Sequence, residues 1–107
     1  MEEKIKISIL LEIYGKLLTE KQNEYMGYYY NEDLSLSEIA DNDGITRQAV
    51  REIIVKSKNK LEEYENKLQL MKKRKQISEK IQEIKKEIEN KKTKEKLQEI
   101  QEIMNNW

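Results

Sequence analysis

The feature that most limits the fold of this chain is the scarcity of residues that break helices. Proline is absent from the 107 residues, and glycine occurs only at positions 15, 27 and 44. Lys, Glu, Leu, Ile and Gln, which favour helices, are abundant. No segment shows the sustained alternation of apolar and polar residues that a half-buried strand requires. The sequence therefore predicts an all-α protein.

The side chains that carry most enzyme chemistry are missing. The chain has no histidine and no cysteine, which removes the usual acid–base group near neutral pH, thiolate nucleophiles and zinc–sulfur sites. Residues 41–44 resemble part of a calcium loop, but Ile39 and Val50 stand where that loop needs acids. We therefore expect no catalytic residue, no metal and no cofactor. The N-terminal residues lack a signal-like apolar run, so the expected localisation is cytoplasmic.

Three polar residues are placed to begin helices. Thr19 with Gln22, and Ser35 with Glu38, have the spacing of capping boxes. Thr46 is an N-cap for a helix that begins at residue 47. The predicted helices span about residues 3–18, 20–31 and 36–42, and the last runs from 47 without a breaker for nearly thirty residues.

Apolar residues recur at helical spacing at both ends of the chain. Ile5, Ile9 and Ile13 give the first helix an apolar face. Beyond the basic run at 72–75, heptad-like spacing predicts a helical tail with short apolar stripes. The tail stripes consist of Ile77, Ile81, Ile84 and Ile88, followed by Leu97, Ile100, Met104 and Trp107. Because β-branched residues on one seam rarely stay exposed, these stripes favour a homodimer, with packing inside the chain as the alternative.

Charge is divided unequally along the chain. Residues 1–45 carry ten acids and four bases, and residues 46–107 carry eleven acids and seventeen bases. The zero total is therefore a cancellation of −6 by +6. The basic second half favours an acidic partner such as nucleic acid, whereas the acidic first half opposes one.

Residues 36–54 have the spacing of a helix-turn-helix. Ala40 is the small residue at which the two helices cross, and Gly44 supplies a positive φ in the turn. Val50 would anchor the second helix, with Ile39, Ile45 and Ile53 at the remaining core positions. Asp43 departs from the pattern, because an apolar residue is usual just before the glycine, and this predicts a looser turn.

The helix that follows the turn separates an apolar face from a basic one. At about 100° per residue, Val50, Ile53, Ser57, Leu61 and Tyr64 fall on one side. The other side carries the candidate DNA contacts, because Arg suits guanine and Gln suits adenine. These candidates are Arg47, Gln48 and Arg51 for base edges, and Thr46, Lys56 and Lys58 for phosphates. A solvated face of an ordinary helical hairpin remains the alternative.

Two sets of motifs carry a resemblance to known families. The segment TRQAVREI at 46–53, after LSEIA at 36–40, resembles the helix-turn-helix of bacterial sigma factor region 4 that reads the −35 element. The segments YGKLLTEKQ at 14–22 and EDLSLSEIA at 32–40 are similar to the YlxM family of small helix-turn-helix proteins from Gram-positive bacteria. The match covers about residues 5–70.

The resemblance implies a sigma region 4-like head, residues 1–71. Beyond it, the heptad-like spacing predicts a coiled-coil-like tail, residues 72–107. The resemblance also implies a non-catalytic regulator that binds double-stranded DNA. Because the YlxM family is usually encoded beside signal recognition particle genes, components of that particle are further expected partners. The alternative function is a protein or ribonucleoprotein adaptor of that system that does not read DNA.

Overall fold

The computed structural model describes residues 2–107 and confirms the all-α class. Within these residues, α1 is followed by a short 3₁₀ helix at Gly15–Leu17 and then by five further α-helices. The α-helices are α1 Glu3–Tyr14, α2 Glu20–Tyr30, α3 Leu36–Asp43, α4 Arg47–Leu68, α5 Leu70–Glu87 and α6 Lys91–Asn105. The first predicted helix is therefore too long, because its last turn tightens into the 3₁₀ segment.

The chain divides into two compact units at the end of α4, the second being Gln69–Trp107. The prediction of one unbroken helix through this region is wrong, because Gln69 adopts left-handed backbone angles, φ 55° and ψ 31°. This conformation is unfavourable for residues other than glycine, and neither glycine nor proline signals it in the sequence. The predicted division stood between residues 71 and 72.

The head, which comprises α1 to α4, has one apolar core. It contains four residues of α1, two each of α2 and α3, and a stripe of α4. The core residues of these helices are Ile7, Leu10, Leu11 and Tyr14, then Tyr25 and Met26, Ile39 and Ala40, and Val50, Ile54, Ser57 and Leu61. The face predicted for α1 is shifted, since Ile5 is 52% exposed and Ile7 is fully buried. The Tyr14 hydroxyl also donates to the Glu65 carboxylate at 2.8 Å, which ties α1 to α4.

The predicted caps are confirmed. In α2 the Gln22 N–H donates to Thr19 Oγ1 at 3.2 Å, and Thr19 N–H donates back to the Gln22 side chain at 3.1 Å. Ser35 and Glu38 form the same reciprocal pair at the start of α3, with both distances 3.1 Å. The positions at which the middle helices of the head begin are therefore set by side chains within four residues of each start.

The second unit is a helical hairpin of α5 and α6. Asn90 caps α6, because its side chain accepts the Thr93 N–H at 3.2 Å. Ile81 and Met104 are buried, at 4% and 3% exposure, so part of each predicted tail stripe packs inside this unit.

Gly27 and Gly44 offer a paired test of the backbone. A methyl group on either residue would meet no atom within 4 Å, but only Gly44 has a positive φ, 65°. Gly27→Ala should therefore raise the free energy of unfolding by about 0.5–1 kcal/mol, because alanine suits a helix interior better than glycine. Gly44→Ala should lower it by about 1 kcal/mol.

Urea denaturation of both variants and the parent measures these changes. A loss of stability in Gly27→Ala would contradict this expectation. It would mean that α2 requires a glycine at position 27 for a reason other than the contacts in the head. An unchanged stability in Gly44→Ala would contradict the left-handed turn.

Candidate nucleic-acid interface

The helix-turn-helix is formed by α3, the turn at 44–46 and α4. Gly44 ends α3 in left-handed conformation and its N–H donates to the Ala40 carbonyl, as does the Ile45 N–H at 3.1 Å. This is the usual glycine C-cap. Thr46 then caps α4 by accepting the Ala49 N–H at 3.0 Å. The predicted positive φ at Gly44 and the buried position of Ala40, 3% exposed, are both confirmed.

Asp43, the one departure from the sequence pattern, is the last residue of α3 and is tied to α2. Its carboxylate accepts a hydrogen bond from the Tyr25 hydroxyl. Burial first, and then this hydrogen bond, raise the pKa of Tyr25 to about 12, so the phenol stays a donor at neutral pH. The expectation of a looser turn is therefore wrong, because a side chain from the preceding helix fixes the end of α3.

The Tyr25–Asp43 contact predicts a dependence of stability on pH. A tyrosine whose pKa rises from 10.0 to about 12 on folding stabilises the head fully below pH 10. That contribution is lost as the pH rises from 10 towards 12. Tyr25→Phe removes both the hydrogen bond, at a cost of about 0.5–1.5 kcal/mol near neutral pH, and this alkaline loss.

Urea unfolding at neutral pH and at a pH between 10 and 12 tests this expectation. Tyr28→Phe, which removes a phenol from the same helix, is the control. An alkaline loss of equal size in the parent and in Tyr25→Phe would contradict the role of this hydroxyl.

The buried face of α4 has helical spacing but differs from the prediction, because Ile54 replaces Ile53 and Tyr64 is only half-buried. Val50, Ser57 and Leu61 are fully buried as expected. The fourth member is Ile54 at 5% exposure, while Ile53 is only half-buried. The Ser57 hydroxyl donates to the Ile53 carbonyl at 2.6 Å, so this buried polar group is satisfied within its own helix. The face opposite this stripe is the one left to solvent.

Five of the six predicted contact residues lie in solvent at the start of α4 or farther along its exposed side. Arg47, Gln48 and Arg51 are exposed in the first turns, and Lys56 is exposed farther along. Thr46 is exposed at the N-cap, where its hydroxyl already accepts the Ala49 N–H. The two guanidiniums and the amide are therefore available to a partner that approaches the beginning of α4.

Lys58 is placed differently from the other five residues. It is half-buried, and its ammonium forms an ion pair with the Glu3 carboxylate of α1. The hydrogen bond between them lowers the pKa of Glu3 and raises the pKa of Lys58, so both groups are charged at neutral pH. The Glu3 carboxylate therefore already neutralises the charge with which Lys58 would attract a phosphate.

The exposed side of α4 also contains residues that the sequence pattern does not mark as contacts. Glu52, Val55 and Asn59 line a shallow groove together with Arg51 and Lys56. Val55 is 44% exposed although it is apolar. The spacing of 48, 52, 55 and 59 is helical, so extending the basic face by two turns would have identified them.

Two other kinds of feature are absent from the part of the chain that the structure describes. Within residues 2–107, no helix has an apolar stretch long enough to cross a lipid bilayer. In the same range, no three acidic side chains lie close enough together to hold a metal ion.

A short helix, a glycine turn and a second helix with an exposed basic face define a helix-turn-helix protein, a class that binds nucleic acid. The chain belongs to the family described as "Putative helix-turn-helix protein, YlxM / p13 like", whose model matches residues 1–103. The family resemblance expected from the sequence is thereby confirmed.

Relatives named UPF0122 protein support this membership. The protein of Clostridium kluyveri is 56% identical over 70 residues, which cover 65% of this chain and 63% of the relative. That of Symbiobacterium thermophilum is 52% identical over 68 residues, 64% of each chain. That of Malacoplasma penetrans is 53% identical over 64 residues, 60% of each chain. The matched segments thus span less than two thirds of these relatives.

Proposed function

We propose that this protein is a non-catalytic regulator that binds double-stranded DNA through α4 and acts as a homodimer. The observation that carries the proposal is the exposure of Arg47, Gln48 and Arg51 together, directly after a helix-turn-helix glycine turn. The N-terminal part of the second helix is the part that enters the major groove in this class of protein.

The chemistry of the exposed face matches the groups that DNA presents. Each guanidinium has the fork of donors that fits guanine O6 and N7, and the Gln48 amide fits adenine N6 and N7. Thr46 and Lys56 would lie near phosphates, and the N–H groups at the start of α4 favour a phosphate there as well. Val55 offers an apolar contact of the kind that thymine methyl groups accept.

Base reading predicts a specific effect at Arg51. Arg51→Ala should cost about 1–3 kcal/mol of binding free energy on a preferred duplex and weaken discrimination between sites. Arg51→Lys should lose nearly as much discrimination while keeping the salt dependence, because lysine keeps the charge but not the fork of donors. Lys16→Ala removes an exposed charge outside this face and serves as the control.

Selection of duplexes from a random pool, followed by fluorescence anisotropy at several salt concentrations, measures both effects. For the parent, the logarithm of the binding constant should fall with the logarithm of salt with a slope of roughly −3 to −6. A selection that enriches no sequence would contradict base reading by this face.

The Glu3–Lys58 ion pair predicts that an acid in α1 weakens DNA binding. Glu3→Gln releases Lys58, so binding should tighten a few-fold and the salt slope should steepen by about 0.9, the value for one more phosphate. Asp33→Asn is the matched control. It also removes one negative charge from an ion pair, but the partner, Lys4, does not lie in α4.

The same anisotropy titrations distinguish the two explanations. An effect confined to Glu3→Gln supports Lys58 as a phosphate contact. Equal effects of Glu3→Gln and Asp33→Asn would mean that only net charge matters, and would remove Lys58 from the proposed contacts.

One observation favours the adaptor as a second candidate function. Glu38 and Asp41 are exposed on α3, the helix that precedes the turn, where they would repel a phosphate backbone. The family resemblance names components of the signal recognition particle as the partners of such an adaptor. Absence of any enriched duplex, together with binding of a purified component of that particle, would favour this function over DNA reading.

A further inference from the structure

The hairpin of α5 and α6 has one edge closed by polar contacts. The Gln101 side-chain N–H donates to Ser78 Oγ at 2.8 Å, and Lys85 Nζ donates to the Gln98 side-chain oxygen at 2.6 Å. Ser78 and Lys85 lie on α5, and both glutamines lie on α6. These pairs fix which sides of the two helices face each other.

The opposite edge of the hairpin is apolar and open to solvent. On α5, Ile77 and Ile84 are 40% and 41% exposed, and each immediately precedes one of the polar residues of the closed edge. At about 100° per residue, they point away from that edge. On α6, the residues on the same side are Ile100 at 50% exposure and Ile103 at 68%, and Trp107, which is 50% exposed, follows the C-cap of that helix. We call these five residues the open face.

The hairpin is too small to bury this apolar surface by itself. In the second unit, all of which the structure describes, the buried residues are Ile81 and Met104. The two helices have 18 and 15 residues, and helices in proteins owe most of their stability to packing of an apolar face. An open face of five large apolar side chains on so small a unit therefore marks an interaction surface.

The charges beside the open face indicate what covers it. Lys80 and Glu87 flank it on α5, and both are exposed. On α6, the exposed Glu99 flanks it, and the exposed Lys96 lies on the same side about one turn before Ile100. A nucleic acid or an anionic membrane would select a basic border, whereas this border carries both signs on each helix. Mixed signs on both helices suit a face that meets its own copy about a two-fold axis, where each cation can lie beside an anion of the partner.

We propose that the open face binds the open face of a second copy, so that two hairpins form a four-helix bundle. Such bundles bury apolar stripes of this width between helices joined by short loops. The proposal assigns the surface of the homodimer that the proposed function uses for two half-sites. It stands on the hairpin alone, and it holds whether or not α4 reads DNA.

Sedimentation of the full chain at micromolar concentration tests the proposal directly. The parent should sediment at twice its 12.9 kDa chain mass. Ile84→Lys combined with Ile103→Lys should sediment at the chain mass, because two charges would enter the apolar interface while Ile81 and Met104 stay in place. Gln82→Lys, on the exposed side of α5 away from the open face, is the control and should remain dimeric.

A parent that sediments at the chain mass would overturn the assignment, and so would a double variant that remains a dimer. The only tryptophan of the chain, Trp107, gives a second readout that needs no variant and so does not depend on the double variant folding. Dilution of the parent through its dissociation range should shift the emission of Trp107 to longer wavelength. An emission maximum that does not change while the mass falls would place the interface elsewhere and contradict the proposal.

Discussion

The left-handed turn at Gly44 is the constraint on which the candidate interface depends. Because its φ is 65°, α3 ends and α4 begins within three residues. The side of the first turns of α4 that carries Arg47, Gln48 and Arg51 is left in solvent. Tyr25 holds the residue just before the turn by donating to Asp43, so α2 also contributes to the direction of the chain. The exposed guanidiniums of Arg47 and Arg51 are therefore positioned by contacts between other residues.

The local features of the fold could be predicted from the sequence. Thr19, Ser35 and Thr46 act within four residues of their own positions, and the Gly44 turn requires only a residue that tolerates positive φ. Patterns of this kind need no knowledge of the rest of the chain. The exposed basic face of α4 belongs to the same category, because a regular helix fixes which residues share a side.

The features that could not be predicted depend on distant or unmarked residues. The pairing of Lys58 with Glu3 joins the two ends of the head, and helical periodicity carries no information about it. Gln69 adopts a left-handed conformation, but the sequence has no glycine there from which this conformation could be predicted. In α1 the apolar residues surround much of the helix, so packing against the other helices, rather than the pattern, decides that Ile7 is buried and Ile5 is exposed.

Ser57 shows how the buried side of α4 bears on its exposed side. Its hydroxyl donates to the carbonyl one turn back in the same helix, so it needs no hydrogen-bond acceptor on the neighbouring helices. What the position limits is volume, because a fully buried site in a close-packed core has no room for a larger side chain. A larger side chain at position 57 would push α4 outward. The positions of the arginines on the exposed side of α4 therefore depend on the volume of a residue on its buried side.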